Sequence, residues 1–437
     1  MTLATHQSLR QLLRQVPSNA FSKSTRKAFL FSYLYVVLPR IIKHVSRAIK
    51  TGRPQDSVDP ILKTLYRALH PSKFPLLVAK MIATTNVLTP FVQKLLQRKT
   101  NNKLIVSTIA SFLGAIVNFP SFQAHIIKYN RYFSLDFTLI LFTRALDTVG
   151  TSLFPVLVKN PPPFLQNYGD GLLFVVSSFF IMHYWFFYPN KLPPAYHRWI
   201  TSAANVDPEI VTAFKAIKSG TLKYGEHCPD EDVFVSMCDR YGQDPSKGSL
   251  IKNTPLPCEV LHAFTTNNCE LHALWRFQRG FKFAFNLYGT INFVVWLIRR
   301  GSPKRYLINT CRSSAFLGAF IALYWYSLCL ARTRLLPKLF PNVPITRWDD
   351  TIAPAAGAMG CGFGCFIENA QRRKELSLFV APRALGALVP SEPTKFNLMV
   401  ERLAFSLSFM VLASFAKQDP KKVRGIMGKG LEAIFKD

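Results

Sequence analysis

Apolar positions along the chain gather into long runs. Four of them, residues 74–95, 104–126, 133–158 and 170–188, follow one another with short polar breaks. Each reaches or approaches the roughly 20 residues a helix needs to cross about 30 Å of hydrocarbon. A second set of four, 311–332, 351–368, 375–390 and 397–416, repeats the arrangement. One further run precedes each set. Residues 27–48 are apolar first and basic later with Pro39 breaking the run, and residues 281–298 are aromatic and end at Arg299-Arg300. Each of these two reads as an interfacial helix or a short span.

The pattern predicts an all-α polytopic membrane fold of two pseudo-repeated four-helix blocks joined by an extramembrane insert. Residues 1–73 form a basic amino tail with the interfacial helix or short span, 74–188 the first block and 189–280 the insert. Residues 281–310 are the aromatic helix and a basic turn, 311–416 the second block and 417–437 a basic carboxyl tail. Eight spans place both tails and the insert on one side of the membrane. Ten spans place the insert opposite the tails.

A polar signature supports the duplication. Asp136 precedes Arg144-Ala-Leu by eight residues, and Glu375 precedes Arg383-Ala-Leu by the same spacing. The fourth runs correspond as well, with Asp170, Leu172, Phe174 and Ser177 falling on Glu401, Leu403, Phe405 and Ser408. A charge near the membrane centre costs about 2.5 to 3.5 kcal/mol on insertion scales, so Arg144 and Arg383 are expected to face protein or water. Asp147, three residues after Arg144, shares its helical face and is the expected partner. Asp136 points about 80° away and lies roughly 12 Å along the axis. Asp147 becomes Gly386 in the second copy, so Arg383 is expected to find Glu368 or Glu401 on an adjacent helix.

Asp136, Arg144, Asp147, Glu375 and Arg383 are thus the candidate intramembrane charged centre. They either face a shared polar pathway, as in paired-repeat transporters, or fix helix packing through ion pairs. Gly357, Gly360 and Gly364 lie where two helix backbones can touch.

Composition sharpens this picture. The chain is 49% hydrophobic with 37 Phe and carries a formal net charge of +30. Its basic residues mostly flank apolar runs, which fits anionic lipid headgroups. With no basic stripe bearing exposed aromatics, nucleic acid is not an expected partner. The insert brings together Cys258-x3-His262-x6-Cys269-x2-His272. These four thiol and imidazole groups can supply a tetrahedral zinc site, a disulfide, or unpaired packing thiols. The insert is also where a protein partner would dock if the chain is a scaffold or tether. No nucleophile elbow, His-Glu-x-x-His or phosphate-binding glycine loop occurs, so an enzyme is not expected and no cofactor beyond zinc is called for.

The stretch Cys258-Glu-Val-Leu-His262, then Asn268-Cys269, then an aromatic helix ending in Arg299-Arg300, resembles the cysteine-rich segment of the transmembrane protein 135 family. The glycine-rich run followed by a basic turn and Arg383-Ala-Leu is similar to that family's carboxyl-terminal block. That block in turn resembles peroxisomal membrane protein 4 and the four-span mitochondrial inner-membrane translocase superfamily. Ala263 departs from the pattern, in which proline follows the histidine. The resemblance implies a peroxisomal or mitochondrial membrane protein linked to lipid metabolism and organelle dynamics, and it implies no catalytic residues.

Overall fold

The computed structural model describes residues 15–52, 58–96, 102–159, 162–228 and 232–435, and among them every regular element is helical. The first 14 residues of the basic amino tail lie outside these residues. In chain order the principal helices are α1 (Lys23–Thr51), α2 (Val58–Ala68), α3 (Phe74–Leu96), α4 (Lys103–Ile127) and α5 (Arg131–Leu157). They continue as α6 (Pro163–Phe187), α7 (Pro194–Ala204), α8 (Pro208–Ser219), α9 (Val233–Arg240) and α10 (Cys269–Arg299). The last five are α11 (Pro303–Cys329), α12 (Ala353–Gly360), α13 (Ala370–Leu388), α14 (Lys395–Gln418) and α15 (Gly425–Phe435).

Among the described residues, seven helical stretches are long and apolar enough to cross a membrane. They are Gln15–Ile49, Phe74–Leu96, Lys103–Ile127, Tyr132–Phe154, Pro163–Phe187, Pro303–Leu339 and Lys395–Gln418. The chain is a polytopic membrane protein. Two expectations change in detail. Pro39 sits inside α1 without ending it, and the 27–48 run belongs to a stretch of full span length. Runs 281–298, 351–368 and 375–390 are not among the seven. The second of these is helical but changes winding twice, from a π turn (Trp348–Ile352) through α12 to a 3-10 stretch (Cys361–Ile367).

Packing divides the chain into two units, residues 1–161 with 390–437, and residues 162–389. In the first unit α14 lies against α4 and α5, and α3 lies between α1 and α4. The Phe119 and Phe405 rings stack there with centroids 3.8 Å apart. In the second unit α6 lies against α12, the Cys361–Ile367 stretch and α13, while α10 runs along α11. The fourth helix of each sequence block therefore packs against the second and third helices of the other block. Packing units consequently cut across the sequence blocks 74–188 and 311–416, and the exchange is reciprocal.

The glycines show why these helices approach closely. A Cβ on Gly114 of α4 would come within 2.9 Å of the Met81 carbonyl on α3. On the corresponding pair in the second unit, a Cβ on Gly357 would come within 2.8 Å of the Tyr324 carbonyl on α11. A Cβ on Gly364 would come within 3.1 Å of the Phe320 backbone nitrogen on the same helix α11, and a Cβ on Gly360 would strike the Ser327 hydroxyl.

The insert is not a free-standing domain. Phe214, Met237, Leu250 and Val260 of the insert share one buried cluster with Phe186, Leu317 and Trp325 of the spans α6 and α11.

Candidate functional site: a cysteine and histidine cluster and an apolar cavity

The repeated arginines occupy different surroundings. Arg144 is buried in the first unit, and its Nη1 donates to the Arg424 carbonyl at 3.3 Å. Asp147, the expected partner, holds the side chain of Arg424, with Nε to Oδ2 at 2.8 Å. The carboxyl tail thus enters the charged centre, a contribution the helical spacing of Arg144 and Asp147 could not reveal. Arg383 is half-buried in the second unit. Its guanidinium lies 3.7 Å from the Phe379 ring centroid and 5.4 Å from that of Tyr196, and it donates to the Phe379 carbonyl.

The two carboxylates expected near Arg383 have other hydrogen bonds. Glu368 accepts the Ser313 hydroxyl at 2.6 Å and lies 3.8 Å from Arg372 Nε. Glu401 packs in the first unit, where it accepts Gln123 Nε2 at 2.8 Å and Thr138 Oγ1 at 3.4 Å. Asp136 and Glu375 are half-buried on α5 and α13.

In the second unit Tyr196 and Phe379, the two rings under Arg383, form part of the wall of an apolar cavity of about 250 Å³. Met182 and Trp185 from α6, with Phe320, Tyr324 and Trp325 from α11, form much of the remaining wall. Burial pushes the Tyr196 phenol up to about 12, against the opposing pull of Arg383. A second hollow of about 240 Å³ shares Ala203, Ala204 and Ile321 with the first and is bordered by Arg276 and Arg279. Apolar walls continuous with a basic rim suit a molecule with an apolar body and an anionic end.

Three segments of the same unit bring four candidate metal ligands together, three cysteines and one histidine. Cys258 opens a single helical turn after Pro257, and His262 closes it with its N–H on the Cys258 carbonyl at 2.8 Å. The chain then reverses through Ala263 and Phe264, whose φ values of 52° and 56° are left-handed. Proline, fixed near −65°, cannot adopt that conformation, so this backbone requires the departure at Ala263. Asn268 caps α10 by accepting from Glu270 N at 2.9 Å, and Cys269 is the first residue of that helix. Cys329 ends the α-helical part of α11, just before a π turn at Leu330–Arg334.

The donor atoms of Cys258, His262, Cys269 and Cys329 lie within 4.8 Å of one another. Cys329 takes the place anticipated for His272. It was hidden from sequence spacing because it is 60 positions beyond Cys269 and inside an apolar run.

His272 instead stacks on His262, with ring centroids 4.1 Å apart. Its Nε2 accepts from Arg276 Nε at 3.2 Å, so its Nδ1 carries the proton and donates to Thr265 Oγ1 at 2.9 Å. Burial, aided by His262 and Arg276, pushes its pKa down to about 2 and keeps the ring neutral. His262 Nδ1 donates to the Thr266 carbonyl at 2.8 Å. That bond fixes the tautomer and leaves the Nε2 lone pair aimed at Cys329 Sγ, 3.3 Å away. Hydrogen bonds from the Cys269 and Cys329 thiols hold the Cys258 thiol well below its ordinary pKa.

A buried polar group flanks the cluster. Arg332, in the π turn after Cys329, pairs with Asp349 and donates to the Leu256 carbonyl at 2.7 Å. Its Nη1 is 4.0 Å from Cys258 Sγ. The Tyr224 hydroxyl donates to Asp349, and burial together with that carboxylate raises its pKa.

No family model, curated protein or solved structure matches this chain.

Proposed function

We propose that this protein binds and moves an amphipathic anionic lipid, taking its apolar chain into the cavity of the second unit. The observation that carries this reading is the position of Arg383 over two aromatic rings that line an apolar cavity of about 250 Å³. An apolar cavity of roughly 150 Å³ already stays dry and takes up benzene. This one has room for more of a hydrocarbon chain, and the positive charge for an anionic headgroup would come from Arg383, over two of its wall rings, and from Arg279 at the adjoining hollow. The role is that of a carrier, with no chemistry on the lipid. On this reading the two repeated arginines have diverged, Arg383 serving the cavity while Arg144 anchors the carboxyl tail. The resemblance noted above adds an organelle membrane, peroxisomal or mitochondrial, and a link to lipid metabolism.

A scaffold or tether with a partner-docking insert is the other reading. It is the weaker one, because the insert's apolar side chains share a core with the spans α6 and α11. The deciding experiment uses liposomes containing the purified protein and a fluorescent anionic lysolipid, with leaflet exchange followed by quenching from outside. Protein-dependent exchange that is abolished by Ala203→Trp, which fills the cavity, supports carriage. Exchange no faster than in protein-free liposomes overturns it.

A further inference from the structure

We infer that Cys258, His262, Cys269 and Cys329 bind one zinc ion in a closed structural site that fastens the insert to the end of span α11. This does not depend on the lipid reading. Zinc bound by thiolate at about 2.3 Å and imidazole at about 2.0 to 2.1 Å places neighbouring donors of a tetrahedron roughly 3.5 to 3.8 Å apart. The four donor atoms all lie within 4.8 Å of one another, and His262 Nε2 is 3.3 Å from Cys329 Sγ. A small contraction around an ion therefore completes the tetrahedron.

The surroundings prepare three of the four donors. The Thr266 carbonyl orients His262 through Nδ1, as an outer-shell acceptor does for a metal-bound imidazole. Cys269 begins a 31-residue helix, whose positive end favours a thiolate. Arg332 Nη1, 4.0 Å from Cys258 Sγ, supplies a positive charge beside that sulfur. His262, Cys269 and Cys329 are each at most 3% exposed and Cys258 is half-buried, so four protein donors fill the tetrahedron and three of them are shut off from water. A closed set of three thiolates and one imidazole is the mark of a structural site.

Soft tetrahedral donors also suit iron–sulfur clusters. Those clusters, however, spread their ligands over more than one iron, whereas these donors converge on one point. A single ion is the better fit.

The ligands come from the turn after Pro257, the start of α10 and the end of α11, so a bound ion closes the chain from residue 258 to residue 329. Metal binding free energy then becomes folding free energy for the insert.

The test is elemental analysis of the full chain, purified in detergent through an affinity tag without histidine. About one zinc per chain is expected. Cys258→Ser and Cys329→Ser should each lower occupancy at least fivefold, while Cys361→Ser, a buried cysteine outside the cluster, should leave it unchanged. If the cluster variants fail to fold, cobalt exchange into the wild-type chain decides. Intense thiolate-to-cobalt absorption with tetrahedral ligand-field bands is the expected signature. The inference is overturned by iron and sulfide in place of zinc, by a disulfide among these cysteines, or by substoichiometric zinc with all three thiols open to alkylation after mild unfolding. Zinc that persists in both cluster variants overturns it equally.

Discussion

Arg332 and Asp349 face each other from two π-helical turns, with Nε 2.5 Å from Oδ1 and Nη2 3.1 Å from Oδ2, and both side chains are at most 2% exposed. Arg332 also donates to the Leu256 carbonyl and to the Tyr224 hydroxyl, so one guanidinium ties α11 to two points of the insert. π turns place side chains at angles an unbroken α-helix cannot supply.

Asp349→Ala should be strongly destabilising, by about 3 to 5 kcal/mol, since it leaves a buried charge uncompensated. The double variant Arg332→Met with Asp349→Leu should cost less than the single one. Thermal unfolding in detergent, read for all three proteins, checks the order. Equal losses in the single and double variants would show that the pair contributes by packing alone.

Gly360→Val should destabilise by about 1 to 3 kcal/mol, the range for overpacking, because its first added atom meets Ser327. Gly150→Ala in α5 meets nothing within 4 Å and should be neutral or stabilising by up to about 1 kcal/mol. Melting temperatures of the two variants measured side by side test the contrast.

Gln123 has no measurable exposure and links two charged groups: its Nε2 donates to Glu401 and its Oε1 accepts from Arg402 Nε at 2.6 Å. Gln123→Leu should therefore cost more than the about 1 kcal/mol of a single neutral hydrogen bond, toward the 1 to 3 kcal/mol of a buried polar group left unmatched. Gln123→Glu would place two carboxylates together and should be worse still. Urea or thermal denaturation of the purified variants reads both.

Arg383→Ala should weaken binding of an anionic lysolipid about tenfold, equivalent to about 1.4 kcal/mol, and leave an uncharged analogue within twofold. Arg383→Lys keeps the charge but loses the planar contact with Phe379 and Tyr196, and should fall between the two. Titration of quenching in the cavity-lining tryptophans Trp185 and Trp325 by brominated lipids measures all three proteins.

Much of this architecture is written in local patterns. Runs of span length identified the membrane class, because hydropathy summed over one helix needs no knowledge of its neighbours. The Asp136/Arg144 and Glu375/Arg383 signature marked two segments that the structure places in different packing units, with different surroundings for the two arginines. Partner identities were less legible because they depend on which helix lies beside which. Arg424 reaches Asp147 from 277 positions away, and Cys329 joins a cluster whose other members lie within 12 consecutive residues. The apolar cavity left no trace in sequence periodicity at all. Its walls use the same aromatic and aliphatic side chains as the core, and only their failure to meet creates it.

The central claim is that a lipid chain occupies the cavity of the second unit, and photo-crosslinking tests it most directly. Purified protein in lipid nanodiscs would be equilibrated with a diazirine-bearing fatty acid, irradiated and mapped by peptide mass spectrometry. The account predicts adducts on the cavity residues Met182, Phe320 and Tyr324, competed by unlabelled fatty acid and absent in Ala203→Trp. Adducts confined to Leu173 and Val176, exposed on α6, with none on the cavity residues, would contradict it.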